Sequence, residues 1–293
     1  MEEIEARHLV YRQKSQWWFG TTYNLNIYRG CSHGCIYCDS RSDCYQVGDF
    51  DRVRAKADAL RLIESDLRSK RQSGVVATGA MSDPYNPQEA KALLTQGALK
   101  LLDQYRFGLA VATKSDLVVR DIPYLQRINA HSPVLIKMTI TTPHDALSAK
   151  LEPHAPSSSR RFAAIRALSD AGVYTGVLLM PVVPFLEDTP EDIELLVEKA
   201  AESGAKFIYP YMGMTMRDGQ REYFYQAIER LWPGLKERYQ RQYGLDYQCN
   251  CPGWRQLLAQ FQKACKRCGL LYRMKEIVAA YQGPTQIEQL RLF

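Results

Sequence analysis

Gly30-Cys31-Ser32-His33-Gly34-Cys35-Ile36-Tyr37-Cys38 decides the reading of this chain. Its C-x3-C-x2-C pattern delivers three thiolates within eight residues, one fewer than a fully ligated four-iron cluster uses. Three protein ligands leave one iron free to take a substrate or cofactor, and an open metal position marks a catalytic rather than a structural site. Gly30 and Gly34 let the loop wrap closely around a bulky inorganic core, because glycine tolerates backbone angles that other residues resist. Tyr37, held between two of the ligands, is placed to lay its ring against a cofactor. The competing readings are ordinary buried cysteines or half of a zinc site. Zinc knuckles favour paired C-x2-C units, and the x3 gap fits them poorly. The spacing favours an open iron–sulfur cluster.

The rest of the composition agrees with a globular enzyme. At 293 residues the chain is long enough to bury a sizeable core. Its 46% hydrophobic and 24% charged content is ordinary for a soluble domain. No apolar run approaches the roughly 20 residues of a membrane span. The first residues, Met1-Glu2-Glu3-Ile4-Glu5-Ala6-Arg7, lack the basic-then-apolar layout of a secretory signal, so a cytoplasmic protein is expected. In a reducing compartment its eight cysteines are metal ligands before they are disulfides. The net charge of +6 is a mild push toward anionic partners such as nucleic acid.

Apolar, β-branched runs predict strands near residues 23–28, 75–78, 108–113, 134–139, 173–180 and 206–211. Helical patterns lie between them at 52–70, 88–105, 122–128, 157–171 and 190–203. Leu60, Ile63 and Leu67 share one helical face, as do Leu93, Ala98, Leu101 and Leu102. Strands alternating with helices predict βα units, a parallel sheet and an α/β class.

The stretch Asn24-Leu25-Asn26-Ile27-Tyr28-Arg29-Gly30-Cys31 resembles the strand and cluster loop of radical S-adenosylmethionine (SAM) enzymes. The nearer resemblance is to the spore photoproduct lyase-like, or DNA repair photolyase-like, branch. It continues through Ser82-Asp83-Pro84-Tyr85-Asn86-Pro87, Thr113-Lys114-Ser115, Arg120-Asp121, Leu151-Glu152-Pro153 and Met180-Pro181-Val182-Val183-Pro184, from about residue 23 to 212. The resemblance implies a partial (β/α)6 radical SAM barrel over residues 1–212, with chemistry at the C-terminal strand ends. It also implies a [4Fe-4S] cluster on Cys31, Cys35 and Cys38, and SAM as cofactor. A low-potential donor, flavodoxin or ferredoxin, would supply the electron that splits SAM and releases a 5′-deoxyadenosyl radical. By position after the second, third and fourth strands, Ser82, Lys114 and Thr139 resemble the family's contacts to the methionine carboxylate and amine. Lys114 suits a carboxylate as a point charge. Ser82 and Thr139 could equally cap a helix or finish a strand, and Asp83 to Pro87 is also good turn chemistry. Glu152 and Arg161 are expected to form a bracing ion pair.

One position departs from the branch. Spore photoproduct lyases carry a cysteine shortly before the Ser-Asp pair that returns a hydrogen atom to the product, and here Ala80 stands in its place. Tyr85 and Cys44 are the candidate donors instead.

Residues 213–293 form a C-terminal, mostly helical, cysteine-containing extension expected to pack on the barrel. It holds a basic, tyrosine-rich helical stretch over 221–243 and a helix around 254–264. Cys249, Cys251, Cys265 and Cys268 have the count for a second metal site, an auxiliary iron–sulfur cluster or zinc, against the reading that they are small buried hydrophobes. The last residues, Gln289-Leu290-Arg291-Leu292-Phe293, resemble the pentapeptide that binds the bacterial sliding clamp. Trp17, Trp18 and Phe19 and the Tyr/Arg-rich stretch offer rings among positive charges, as strand-binding surfaces do, although core packing explains adjacent aromatics as well. Three functions follow: a radical enzyme acting on nucleic acid in a lyase or repair-like reaction, one acting on a peptide or small molecule, and a metal-bound nucleic-acid module without catalysis. The third is disfavoured because mere binding has no use for an open cluster.

Overall fold

Six short apolar runs become parallel strands of one sheet: β1 (Tyr23–Leu25), β2 (Val75–Thr78), β3 (Gly108–Thr113), β4 (Val134–Thr139), β5 (Thr175–Leu179) and β6 (Phe207–Pro210). The structure, a computed structural model, describes residues 1–283. Strands adjacent in sequence are adjacent in space, and Val10–Arg12 adds an antiparallel edge beside β1. The crossovers carry α1 (Ala59–Ser69), α2 (Leu94–Gln104), α3 (Ile122–Asn129), α4 (Ser158–Asp170) and α5 (Pro190–Glu202). Among the described residues the two sheet edges do not pair, so the six βα units form an open, partial barrel.

The central strands are buried on both faces, as a sheet covered on each side requires. Alternation along β4 sends Val134, Ile136 and Met138 outward onto Leu125, Ile165 and Leu168 of the helical layer. Leu135 points inward with Val75, Ala110, Leu178 and Phe207. The extension supplies α6 (Gln220–Leu231), α7 (Leu235–Tyr243), α8 (Trp254–Cys268) and α9 (Met274–Gln282). Helix α8 packs on α5, where Arg267 pairs with Glu194 and Glu198. Helix α9 brings Ile277 and Tyr281 to the barrel interior beside Phe19, whose carbonyl accepts the Tyr281 hydroxyl proton.

Several expected elements differ in extent. The helix predicted over 52–70 begins only at Ala59, because Arg54–Lys56 is taken as a strand between Glu2–Ile4 and Tyr28–Arg29. The pattern over 88–105 breaks at Leu93, which adopts a left-handed φ of 55° and separates Glu89–Ala92 from α2. Leu93 is therefore exposed and not part of the buried face. The first strand stops at Leu25, and the stretch 221–243 breaks around Pro233-Gly234 into α6 and α7. The pentapeptide Gln289 to Phe293 lies outside the described residues.

Candidate functional site

Cys31, Cys35 and Cys38 lie in the loop after β1, and all three line one cavity of about 140 Å³ at the C-terminal ends of the strands. The loop is tied down by its backbone. Cys31 N–H donates to the Phe50 carbonyl at 2.8 Å and Ile36 N–H to that of Leu151 at 2.9 Å. Gly30, at φ +82°, passes so near the carbonyl oxygens of Phe50 and Arg52 that a Cβ would stand 2.7 Å from each. Gly34, at φ +70°, approaches His154 almost as closely.

The loops after β2, β3 and β4 complete the cavity wall with Ser82, Lys114 and Thr139. Asp83 organises this wall. One of its oxygens accepts from Tyr85 N–H at 2.8 Å and from the Thr113 hydroxyl at 2.6 Å, and the other accepts from Lys114 N–H at 2.8 Å. The motif is thus turn chemistry that also fastens the end of β2 to the end of β3. The Ser82 hydroxyl donates to the Tyr28 carbonyl at 2.9 Å, a structural bond made from a cavity-lining residue. Behind them Glu89 receives Tyr28, Arg120 and the Thr95 N–H, and Arg120 also holds Asp121.

A second buried network stands opposite. Glu152 accepts from Tyr37 and from Arg161, and its Oε1 lies 3.8 Å from Lys114 Nζ. Arg161 and Glu152 are both essentially inaccessible to solvent, so the expected ion pair forms inside the protein. Burial opposes charge on Lys114, but Cys35 and Glu152 outweigh it and its pKa moves up. Burial likewise opposes charge on Glu152, and Arg161 and Lys114 reverse the effect, leaving its carboxyl below the usual range. Burial pushes the Cys31 thiol up to about 12 and raises Cys35 and Cys38 as well. Thiols so placed lose their protons to a bound cation and not to solvent.

The donor set fits an iron–sulfur cluster. Three thiols open onto one shared void, and a bonded cation would offset their burial. Among the described residues no three Cys, His, Asp or Glu side chains converge tightly enough for a single ion.

Residues 25–200 match the Radical SAM superfamily. The chain belongs to that superfamily. An uncharacterized protein of Mycobacterium tuberculosis is 30% identical over 228 residues, covering 75% of this chain and 67% of its own. One of Methanocaldococcus jannaschii is 32% identical over 172 residues, 58% of this chain and 63% of its own. Among solved structures, spore photoproduct lyase complexed with dinucleoside spore photoproduct superposes with a TM-score of 0.65 at 16% identity, covering 92% of this chain and 80% of that one. The radical SAM methyltransferase TsrM of Kitasatospora setae, with cobalamin and a [4Fe-4S] cluster, superposes at 0.57 and 13% identity over 88% and 57%. The radical SAM fold of this chain is therefore of the spore photoproduct lyase-like kind.

The structure brings Cys31, Cys35, Cys38, Ser82, Lys114 and Thr139 to one cavity, with Ala80 among its walls. It does not bring Tyr85 or Cys44 there. Tyr85 is fully buried with its hydroxyl unpartnered, and Cys44 is exposed, with the Ser42 hydroxyl 3.2 Å from its sulfur. Tyr37 directs its hydroxyl to Glu152, and its ring lies beneath Lys114 at 5.4 Å. The C-terminal cysteines pack in two apolar clusters, and among the described residues no three of them are grouped closely enough to hold a metal ion. Cys249 and Cys251 pack in different apolar clusters, their thiols donating to the carbonyls of Asp246 and Val182. Cys265 shares the cluster of Cys251, and Cys268 borders it.

Three site features were not anticipated from sequence. His33, between two cluster cysteines, is buried with Nδ1 3.4 Å from Asp83. Glu187 is buried, receiving the Thr141 hydroxyl at 2.6 Å and Val183 N–H at 2.8 Å, and burial raises its pKa to about 8. Lys137 lies on the inner face of β4. Only His33, inside the cysteine motif, carried a sequence signal.

Proposed function

We propose that this radical SAM enzyme acts on nucleic acid in a lyase or repair-like reaction. The single observation that carries the catalytic part is the shared cavity, in which three cysteines face Ser82, Lys114 and Thr139 across a gap. Cys31, Cys35 and Cys38 would hold a [4Fe-4S] cluster, which supplies one-electron reductive cleavage of SAM. Lys114 is the side chain for the methionine carboxylate: a cation braced by Glu152 and stacked over Tyr37. Thr139 and Ser82 flank it at the neighbouring strand ends. A low-potential flavodoxin or ferredoxin in the cytoplasm is the proposed electron source.

The nucleic-acid substrate is supported by the structural likeness to spore photoproduct lyase, by the net charge of +6 and by aromatic side chains at the barrel interior. Ala80 favours a second reading, a peptide or small molecule. Among the described residues the cavity is lined by no cysteine beyond the three proposed ligands, so a reaction that needs a returned hydrogen atom draws on another donor. The test is anaerobic turnover with SAM and uniformly deuterated DNA. Deuterium in the 5′-deoxyadenosine product supports the nucleic-acid reading. Deuterium arriving only from peptide or metabolite fractions would replace it with the second.

A further inference from the structure

The turn from Cys35 to Cys38 is held from two sides, and only one of them is the barrel. From the barrel, the Leu151 carbonyl takes the Ile36 N–H and Glu152 takes the Tyr37 hydroxyl. The other side belongs to the C-terminal extension. Gln220, the first residue of α6, is wholly buried. Its Nε2 donates to the Tyr37 carbonyl at 3.2 Å, a bond across 183 positions of sequence that lands between two cluster cysteines. The same Nε2 donates to the Thr215 carbonyl at 3.2 Å, and its Oε1 accepts from Arg217 N–H at 2.9 Å. Two carbonyls and one N–H fix which end of the amide is nitrogen. A buried amide so fully used ties its partners together, because each of them would be left desolvated and unpaired without it.

The contacts around Gln220 continue along the loop. Asp39, the residue after Cys38, accepts from the Thr215 hydroxyl at 3.0 Å and from Arg217 Nε at 3.2 Å. Asp43 N–H donates to the Asp218 carbonyl at 3.2 Å. Gly219, at φ +76°, passes so near the Asp43 carboxylate that a Cβ would stand 2.5 Å from it. Arg41 stacks over both the Phe50 and the Tyr223 rings, 5.0 and 4.1 Å from their centres. Under this polar seam, Cys35, Ile36 and Tyr37 share an apolar cluster with Met214, Met216 and Phe224 of the extension, which closes that flank of the loop to solvent.

We propose that Gln220, backed by Thr215, is a positioning residue for the cluster. Through the Tyr37 carbonyl and Asp39 the pair fixes the stretch that carries Cys35 and Cys38, so the extension is one half of the cluster's holder. This rests on the cluster reading of the three cysteines, and it is independent of the substrate. Groups that orient metal ligands from behind are worth about 10- to 100-fold in metal affinity.

The test follows iron loss from the anaerobically reconstituted full chain after adding excess ferrous chelator, in wild type, Q220L, T215V and Y281F. Q220L removes the polar atoms of the amide at similar volume, and T215V removes only the hydroxyl bonded to Asp39. Y281F is the control, because the Tyr281 hydroxyl ties the extension to the Phe19 carbonyl in an apolar cluster that excludes the cysteine loop. Q220L is expected to lose iron about tenfold faster than wild type, and T215V about fivefold faster, the worth of one hydrogen bond. Q220L should also alter the electron paramagnetic resonance signal of the reduced cluster. Y281F is expected to keep the wild-type rate and signal, although its melting temperature falls as that of Q220L does. That pattern supports the role. Wild-type rates in Q220L and T215V overturn it, and so does an equal acceleration in Y281F, which would show a general loosening of the extension. Should Q220L not fold, T215V decides: faster loss supports the holder and an unchanged rate overturns it. A wild type that binds no cluster removes the cluster reading and this proposal together.

Discussion

Glu152→Gln is the perturbation that most directly probes how the site is held. The carboxylate faces Arg161, Tyr37 and Lys114 at once, and Arg161 is wholly buried. The amide keeps the shape and removes the charge, so Arg161 becomes a buried cation without a counter-ion. Breaking such a pair costs about 3–5 kcal/mol. At about 2–4 °C per kcal/mol for chains of this size, thermal unfolding should fall by roughly 10 °C. The sign of the pH dependence follows from the depressed carboxyl. Glu152 titrates below its unfolded value, so its contribution is present above about pH 4.3 and is lost as pH falls through the lower folded value. The wild-type advantage over the variant should therefore be constant near neutrality and shrink on acidification. Circular dichroism melts of anaerobic protein across that range read both effects. A variant within about 1 kcal/mol of wild type at pH 7 would refute the bracing argument.

Lys114→Met removes the proposed carboxylate contact and should weaken SAM binding about 10- to 100-fold, the worth of one charged hydrogen bond, in equilibrium dialysis of reconstituted protein. Unchanged affinity would reassign the lysine to structure. Asp83→Ala strips acceptors from Tyr85, Thr113 and Lys114 and should cost about 3 kcal/mol in chemical denaturation, with a matching loss if Thr113→Val is combined with it only in part. Full additivity of the pair would deny the shared hydrogen bond. Glu187 is raised to about 8, so the native state keeps a proton that the unfolded chain releases from about pH 4.3 upward. Its penalty grows between those values and levels off above, and Glu187→Gln should gain stability over wild type across that window. A gain independent of pH would show the shift to be absent.

The six-strand barrel was readable because each strand is a short apolar run followed by an amphipathic helix, and because the Cys31 to Cys38 loop announces its chemistry locally. The boundary errors have tertiary causes. Arg54–Lys56 becomes a strand only because two distant segments offer it backbone partners, and Leu93 takes a left-handed turn inside an otherwise helical pattern. At the site, Lys114 and Thr139 were legible as strand-end residues. Tyr37 was not, since its orientation depends on Glu152, a residue more than a hundred positions away. Lys137 carried no local sign at all: a lysine between Ile136 and Met138 looks like an exposed strand residue until the sheet closes around both faces. The four C-terminal cysteines carry a ligand count without a local motif: Cys251 and Cys265 share one apolar cluster with Cys268 at its border, while Cys249 packs in another.

Radical chemistry in this protein requires an open cluster at Cys31, Cys35 and Cys38. The direct measurement is iron and sulfide content with visible and electron paramagnetic resonance spectra of anaerobically reconstituted protein, before and after adding SAM. About four irons per chain, a spectrum that SAM perturbs, and loss of both in the variant with all three cysteines changed to alanine are the predicted results. Iron retained in that variant, or a cluster whose spectrum ignores SAM, would contradict the central claim.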